Sequence, residues 1–296
     1  MTGQDAQALV QAGIERLIGD PAQWLQWAQT QARFHHYSPQ NILLVLAQRP
    51  DATRVAGFQT WKRLGRFVWR GEKGITILAP MVRKSSNAVE PDDGPTEEPT
   101  RTLVGFRPVT VFDMAQTDGE PLDDVPMARV LTGDDWQPVL TALITSTVPV
   151  PVTFGALPPD TWGIWQPALD GQITISDAAD PNMHLKTLLH EWAHSIGIPA
   201  GTAVPADPAA RAEEEVIAET TAYIVGHTMG LNTISYSQSY VAGWSNRSPD
   251  TVRRALGAIH HRVRVMMEAI ADSPDPLIQS LAPDWREGDS PVRHVS

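Results

Sequence analysis

Two histidines four residues apart, with a glutamate directly after the first, carry the strongest chemical signal in this chain: His190-Glu191-Trp192-Ala193-His194. Residues four apart on a helix share a face, so both imidazoles can point at one metal ion. Glu191 then sits about 100° round the helix, where it can take a proton from a water that the metal activates. The pattern is that of metal-dependent peptide hydrolysis. A catalytic zinc of this kind takes three protein ligands and leaves a fourth position open. The chain has no cysteine, so the remaining ligand must be His or carboxylate, a donor set for which zinc is the best metal. The run Glu213-Glu214-Glu215-Val216-Ile217-Ala218-Glu219 offers it. Glu215 is the expected third ligand. Glu219, one turn later, is the expected partner for the second nitrogen of a ligand histidine, which would fix the tautomer. Glu213 and Glu214 read as solvated charges near a helix start, where they suit the macrodipole. Two other readings stand beside these: HExxH as a polar helix face, and Glu215 and Glu219 as salt-bridge partners. Tyr236 and Tyr240 are candidate oxyanion stabilisers. His184, His227, His260 and His261 read as packing or surface histidines.

The elements that must hold these residues follow from periodicity and punctuation. Asp180-Pro181 opens a helix that carries HExxH to about Ser195, and Gly197 closes it. Leu185, Leu188, Leu189 and Ile196 would bury it. Further helices are expected over about 208–229 and from Ser248-Pro249 to Ala271, and one from Thr132 or Asp134 to Ile144. Val148 to Phe154 is strand-like. Trp162–Trp165 and Gln172–Ile175 flank the turn dipeptide Asp170-Gly171 and read as a hairpin. Residues 5–49 read as helices, with Pro21 and Ser38-Pro39 as starts. Ile75–Leu78 and Phe106–Phe112 read as strands. Residues 85–101 are acidic and rich in Pro, an expected exposed, mobile loop. Residues 273–296 read as a loose tail.

Charge is uneven along the chain. Net charge is −11, yet residues 1–85 hold 11 Lys and Arg against 5 Asp and Glu. The acidic excess lies entirely beyond them, which suggests two units with different partners. Arg54, Lys62, Arg63, Arg66, Arg70 and Lys73 interleave with Phe58, Trp61, Phe67 and Trp69. Basic and aromatic residues mixed in this way suit a single-stranded nucleic acid, through phosphate contacts and base stacking. A solvated basic face over an aromatic core is the alternative, and Phe34 and Trp61 read as core. No signal-peptide pattern and no long apolar run is present, so a cytoplasmic protein is expected.

The segment HEWAH followed by EEEVIAETTAY resembles the zincin-type peptidases, in particular the ImmA/IrrE-like group. The resemblance implies that Glu215 is a zinc ligand and that Glu219 orients a ligand histidine. It also implies a sheet packed on the HExxH helix, with the 162–175 hairpin supplying an edge strand for an extended peptide. In the first half, Phe34-His-His-Tyr-Ser-Pro-Gln-Asn41, Val55-Ala-Gly-Phe58, Gly71-Glu-Lys-Gly74-Ile75 and Val111-Phe112-Asp113 to Gln116-Thr-Asp-Gly119 resemble the N-terminal domain of ArdC-type antirestriction proteins. In that family the domain binds single-stranded DNA and precedes a zincin-like domain. Trp69 departs from the pattern, standing where a basic residue is expected. The expected fold is therefore α+β: an ArdC-like DNA-binding domain over 1–125, then a zincin-like metallopeptidase domain over 130–272 with helices on a small mixed sheet. Three functions follow. One is a peptidase holding one zinc per chain and tethered to a DNA-binding module, with single-stranded DNA and a peptide as partners. A second is a non-proteolytic DNA-shielding protein with structural zinc. The third is a protease that cleaves a repressor. Intact Glu191 favours catalysis, and Glu191→Gln separates the first two.

Overall fold

The structure is a computed structural model of the chain and describes residues 1–84, 101–121, 136–168, 170–179, 181–230 and 247–282. It is a mixed α+β fold with small sheets. The described residues fall into two compact units: Met1–Val10 with Leu44–Glu120, and Gln11–Leu43 with Pro121–Trp285. The division expected in chain order, 1–125 and 130–272, differs from this grouping over residues 11–43. Those residues form the second half of α1 (Gly3–Gly19), α2 (Pro21–Arg33) and the start of α3 (Pro39–Gln48).

In the first unit, β1 (Val55–Gly57), β4 (Arg101–Asp113) and β3 (Ile75–Lys84) form an antiparallel sheet in the order β1-β4-β3. Alternation decides its two faces. Ile75, Ile77, Ala79 and Val111 are buried on one side, while Pro80, Phe106, Pro108 and Thr110 lie on the other, more open side. The short α4 (Phe58–Arg63) buries Trp61, whose indole N–H donates to the Phe112 carbonyl at 2.9 Å. Asp113 is a buried hub. Its carboxylate accepts the backbone N–H groups of Thr53, Arg54 and Ala115 at 2.7, 3.0 and 2.9 Å. Gln116 accepts the N–H of Asp113 and donates to the Lys73 carbonyl. The motif segments around 54, 73 and 113–116 are thus tied together by satisfied polar groups, which a buried carboxylate requires. A two-stranded ribbon, β2 (Arg66–Val68) with β5 (Thr117–Gly119), completes the unit.

In the second unit, β6 (Val152–Gly155), β7 (Gly163–Gln166) and β8 (Gln172–Ser176) form a mixed sheet in the order β6-β8-β7, with β6 parallel and β7 antiparallel to β8. The central helix is α6 (Pro181–Gly197). It packs on β7 and β8, on α5 (Trp136–Ser146), on α7 (Pro208–Thr228) and on α8 (Pro249–Ala271). Leu185, Leu188 and Leu189 are buried as expected, and Ile196 is half-buried. Asp207 caps α7 ahead of Pro208, and Ser248 caps α8 ahead of Pro249. In the buried run of α7, Thr220 and Thr221 return their hydroxyls to the carbonyls of Val216 and Ile217 at 2.7 and 2.9 Å, which satisfies them. The segment expected as a loose tail instead begins with α9 (Pro276–Gln279), where Ile278 and then Leu281 are buried, so packing continues to 282. The acidic loop over 85–100, the starts at Thr132, Asp134 and Asp180, and Tyr236 and Tyr240 lie outside the described residues. Among the described residues no helix is long and apolar enough to cross a membrane.

Candidate metal centre

The helical spacing brings the two imidazoles of α6 together. His190 Nε2 and His194 Nε2 lie 3.0 Å apart. From α7, Glu215 Oε2 approaches them at 3.4 and 3.6 Å. These three atoms form a ligand-like group within 4.8 Å of one another. The side chain of Glu215 is largely exposed at the mouth of the cleft, while His190 and His194 are mostly covered.

Both outer imidazole nitrogens are engaged. His190 Nδ1 lies 2.9 Å from Glu219 Oε2, the partner expected from sequence. Lys186 Nζ holds the other Glu219 oxygen at 2.7 Å. His194 Nδ1 lies 3.1 Å from Glu214 Oε1. Glu214 is therefore no solvated charge, as the sequence suggested. It is mostly buried and gripped by Arg262 of α8 through two bonds of 2.9 and 2.7 Å. Glu213 is half-buried and lies 3.7 Å from Arg247. With each Nδ1 engaged by a carboxylate, each Nε2 is turned toward the other and toward Glu215, and can offer a lone pair there once a cation displaces its proton. Two imidazoles and a carboxylate so arranged are a donor set that a divalent ion fits.

The electrostatics are those of a cation site. Burial disfavours charge on His190, but hydrogen bonds to Glu215 and Glu219 outweigh it and raise its pKa to about 10. His194 is likewise raised, with Glu214 and Glu215 overcoming burial. The bonds of both histidines hold Glu215 well below the usual carboxylate range. Burial opposes ionisation of Glu214 and Glu219, but their histidine partners, with Arg262 and Lys186, keep both carboxyls low. Glu191 is different. It is 7% exposed, and burial pushes its pKa up.

Lys186, His190, Glu191, His194, Glu214, Glu215 and Glu219 line one cleft of about 450 Å³, with Trp162, Gly163, Ile164 and Trp165 of the β7 region along one wall. Gly163 lies against the helix: a Cβ there would collide with the Thr187 methyl and crowd the Glu191 carboxylate at 3.0 Å. Ser176 N–H donates to Trp162 O at 2.8 Å, and Ile164 pairs with Thr174. The polar groups of 162 and 164 therefore face β8, and those of Gly163 and Trp165 face the open edge. Glu191 takes the Trp165 N–H. A strand edge with no pairing strand among the described residues thus runs beside the carboxylate and the histidines.

In the first unit, Phe67 and Trp69 are 61% and 54% exposed, and Lys62, Arg63, Arg70 and Lys73 are exposed with them. Arg54 is half-buried. Arg66 serves the fold: it donates to Thr117 Oγ1, the Thr117 carbonyl and the Glu120 carbonyl at 2.8, 3.0 and 2.6 Å, clasping β5 to β2. Phe34 and Trp61 are core, as read from sequence. Sequence reading passed over Phe106, which is 59% exposed on the open sheet face, because one aromatic in an alternating strand does not say which side is covered. Among the other histidines, His184 packs edge-on to Phe154 and His227 stacks on Tyr223.

Residues 12–112 match the family model for the N-terminal domain of anti-restriction factor ArdC. The chain is 24% identical over 277 residues to an uncharacterised protein of Bacillus anthracis; the match covers 80% of this chain and 45% of that protein, so the chain spans less than half that relative's length. Among solved structures, it is similar to the Mn(II)-bound crystal structure of the antirestriction protein ArdC from the R388 plasmid, with TM-score 0.52 and 18% identity over 90% of this chain and 98% of that one. The metal-free crystal structure of the same protein gives TM-score 0.48 and 21% identity over 79% and 85%. At these identities the likeness is one of fold.

Proposed function

We propose that this chain is a divalent-metal-dependent peptidase joined to a single-stranded-DNA-binding unit, in an antirestriction or mobile-element setting. The observation that carries the reading is Glu191: a buried carboxylate with a raised pKa, beside the His190–His194–Glu215 group and under an open strand edge. A metal held only to stabilise the fold has no use for such a group. His190, His194 and Glu215 would hold the ion, and His-carboxylate donors favour zinc. A divalent ion there supplies Lewis acidity and a more acidic water. The chain's own residues do the rest. The edge groups of Gly163 and the Trp165 carbonyl take an extended peptide as an added strand. Glu191 removes a proton from the attacking water as oxygen bonds to the peptide carbon. It then returns that proton to the amide nitrogen as the C–N bond breaks, giving a carboxylate and an amine. On this reading the unit that carries these residues is zincin-like in its chemistry.

A non-proteolytic role is the second reading. It is favoured by the match of residues 12–112 to the ArdC N-terminal domain and by the exposed Phe67 and Trp69 among basic residues. In that case the DNA-binding unit shields single-stranded DNA and the metal is structural.

Metal analysis of purified wild type beside His190→Ala and Glu215→Ala tests the centre. The ArdC relative with Mn(II) makes manganese the ion to measure alongside zinc. About one ion per wild-type chain, lost or much reduced in both variants, is the expected result. A wild type that takes up no divalent ion would remove the peptidase reading.

A further inference from the structure

We infer that Glu214 and Arg262 are positioning residues of the metal centre, holding His194 ready for the ion and keeping Glu214 itself off it. The inference rests on the metal-binding reading above. Three helices converge here. His194 and Gly197 come from α6, Glu214 from α7 and Arg262 from α8. Glu214 Oε1 is shared between His194 Nδ1 at 3.1 Å and Arg262 Nη1 at 2.9 Å, and Oε2 is taken by Arg262 Nη2 at 2.7 Å. Arg262 is only 5% exposed. Its guanidinium occupies the space beside Gly197 where any side chain would begin. Glycine at the end of α6 is therefore what lets α8 reach the site.

The arrangement does two things. A ligand histidine whose Nδ1–H is held by a carboxylate keeps one tautomer and one ring orientation, and donates more strongly from Nε2. Glu214 is also the direct neighbour of Glu215, the carboxylate that approaches both Nε2 atoms. Unrestrained, Glu214 could turn in as a further oxygen donor and fill the position a water needs. The planar fork of Arg262 matches both carboxylate oxygens at once and prevents this; a lysine, a single point donor, would not. Glu219 is held differently, by one contact from Lys186.

The test uses the full chain. Because removing one partner strands a buried charge, the main variant removes both: Glu214→Leu with Arg262→Met, a pairing that tends to leave stability unchanged or raised. Zinc affinity is measured by competition with a chromophoric chelator, and geometry by the visible absorption of the Co(II)-substituted protein. The expected result is a folded double variant whose zinc affinity is roughly 10–100-fold weaker with a changed Co(II) spectrum. Glu214→Gln, which keeps an oxygen facing His194, should recover part of the affinity, and Arg262→Lys should change the Co(II) spectrum. A folded double variant with wild-type affinity and spectrum would overturn the roles of Glu214 and Arg262 and leave the metal reading standing. A wild type that takes no zinc would overturn both.

Discussion

Residue chemistry at this centre is set by what each side chain can reach. His190-Glu191-x-x-His194 is legible because helical geometry alone converges its two imidazoles. Glu215 and Glu219 follow from their spacing. Glu214 does not, since its partner Arg262 lies 48 positions away on a helix whose placement no local pattern reveals. The same limit applies to the basic cluster. Arg66 and Arg70 look alike in sequence, yet Arg66 bonds Thr117 and Glu120 while Arg70 is exposed. Substitutions of Arg66 and of the exposed Trp69 should therefore part company. Trp69→Ala should weaken binding of single-stranded oligonucleotide by about 1–3 kcal/mol through lost base stacking, with the melting temperature kept. Arg66→Ala should lower the melting temperature by loosening β5. Fluorescence titration of both variants, paired with thermal melts, checks this; equal oligonucleotide affinity for Trp69→Ala and wild type would count against the stacking surface.

Among elements, helix ends are the most legible because they carry chemistry: Ser248-Pro249 is an N-cap with a first-turn proline, and α8 begins there. The 162–175 hairpin is present as β7 and β8. The parallel pairing of β6 was not legible, because a short apolar strand carries no mark of its direction. The contact that matters most between elements is Gly163 of β7 against Thr187 and Glu191 of α6. Gly163→Ala should push β7 from the helix and disturb Glu191 without touching a ligand. We expect retained metal content and a peptide-hydrolysis rate lower by about 10-fold or more, as displacement of a catalytic group by about 1 Å can cost 100-fold. An unchanged rate would show that the edge does not position Glu191.

At the scale of the whole molecule, the grouping of residues 11–43 with the unit that carries His190, His194 and Glu215 is not legible in sequence, because the covered side of α2 is fixed by α7, far along the chain. This packing buries a cluster of histidines. Burial depresses His35 to about 4, His36 to about 3 and His260 to about 4, with His261 and Arg264 adding like charge on α8. These groups fold as neutral imidazoles. Their folded pKa values lie below the unfolded one, so their stabilisation is complete above about pH 6.5 and is lost as pH falls toward 4. Each can contribute a slope of up to about 1.4 kcal/mol per pH unit. His36→Phe should accordingly melt with a shallower dependence on pH between 7 and 5 than wild type. Parallel melting curves would contradict that account of the cluster.

The central claim is that Glu191 runs peptide hydrolysis at a His190–His194–Glu215 metal. Its most direct test is incubation of a mixed peptide library with metal-loaded wild type and with Glu191→Gln carrying the same metal, followed by mass spectrometry for new termini. The account predicts cleavage by wild type and a loss of at least about 100-fold in the variant, within the range for removing a general base. Cleavage by Glu191→Gln at the wild-type rate, or none by a fully loaded wild type, would contradict it.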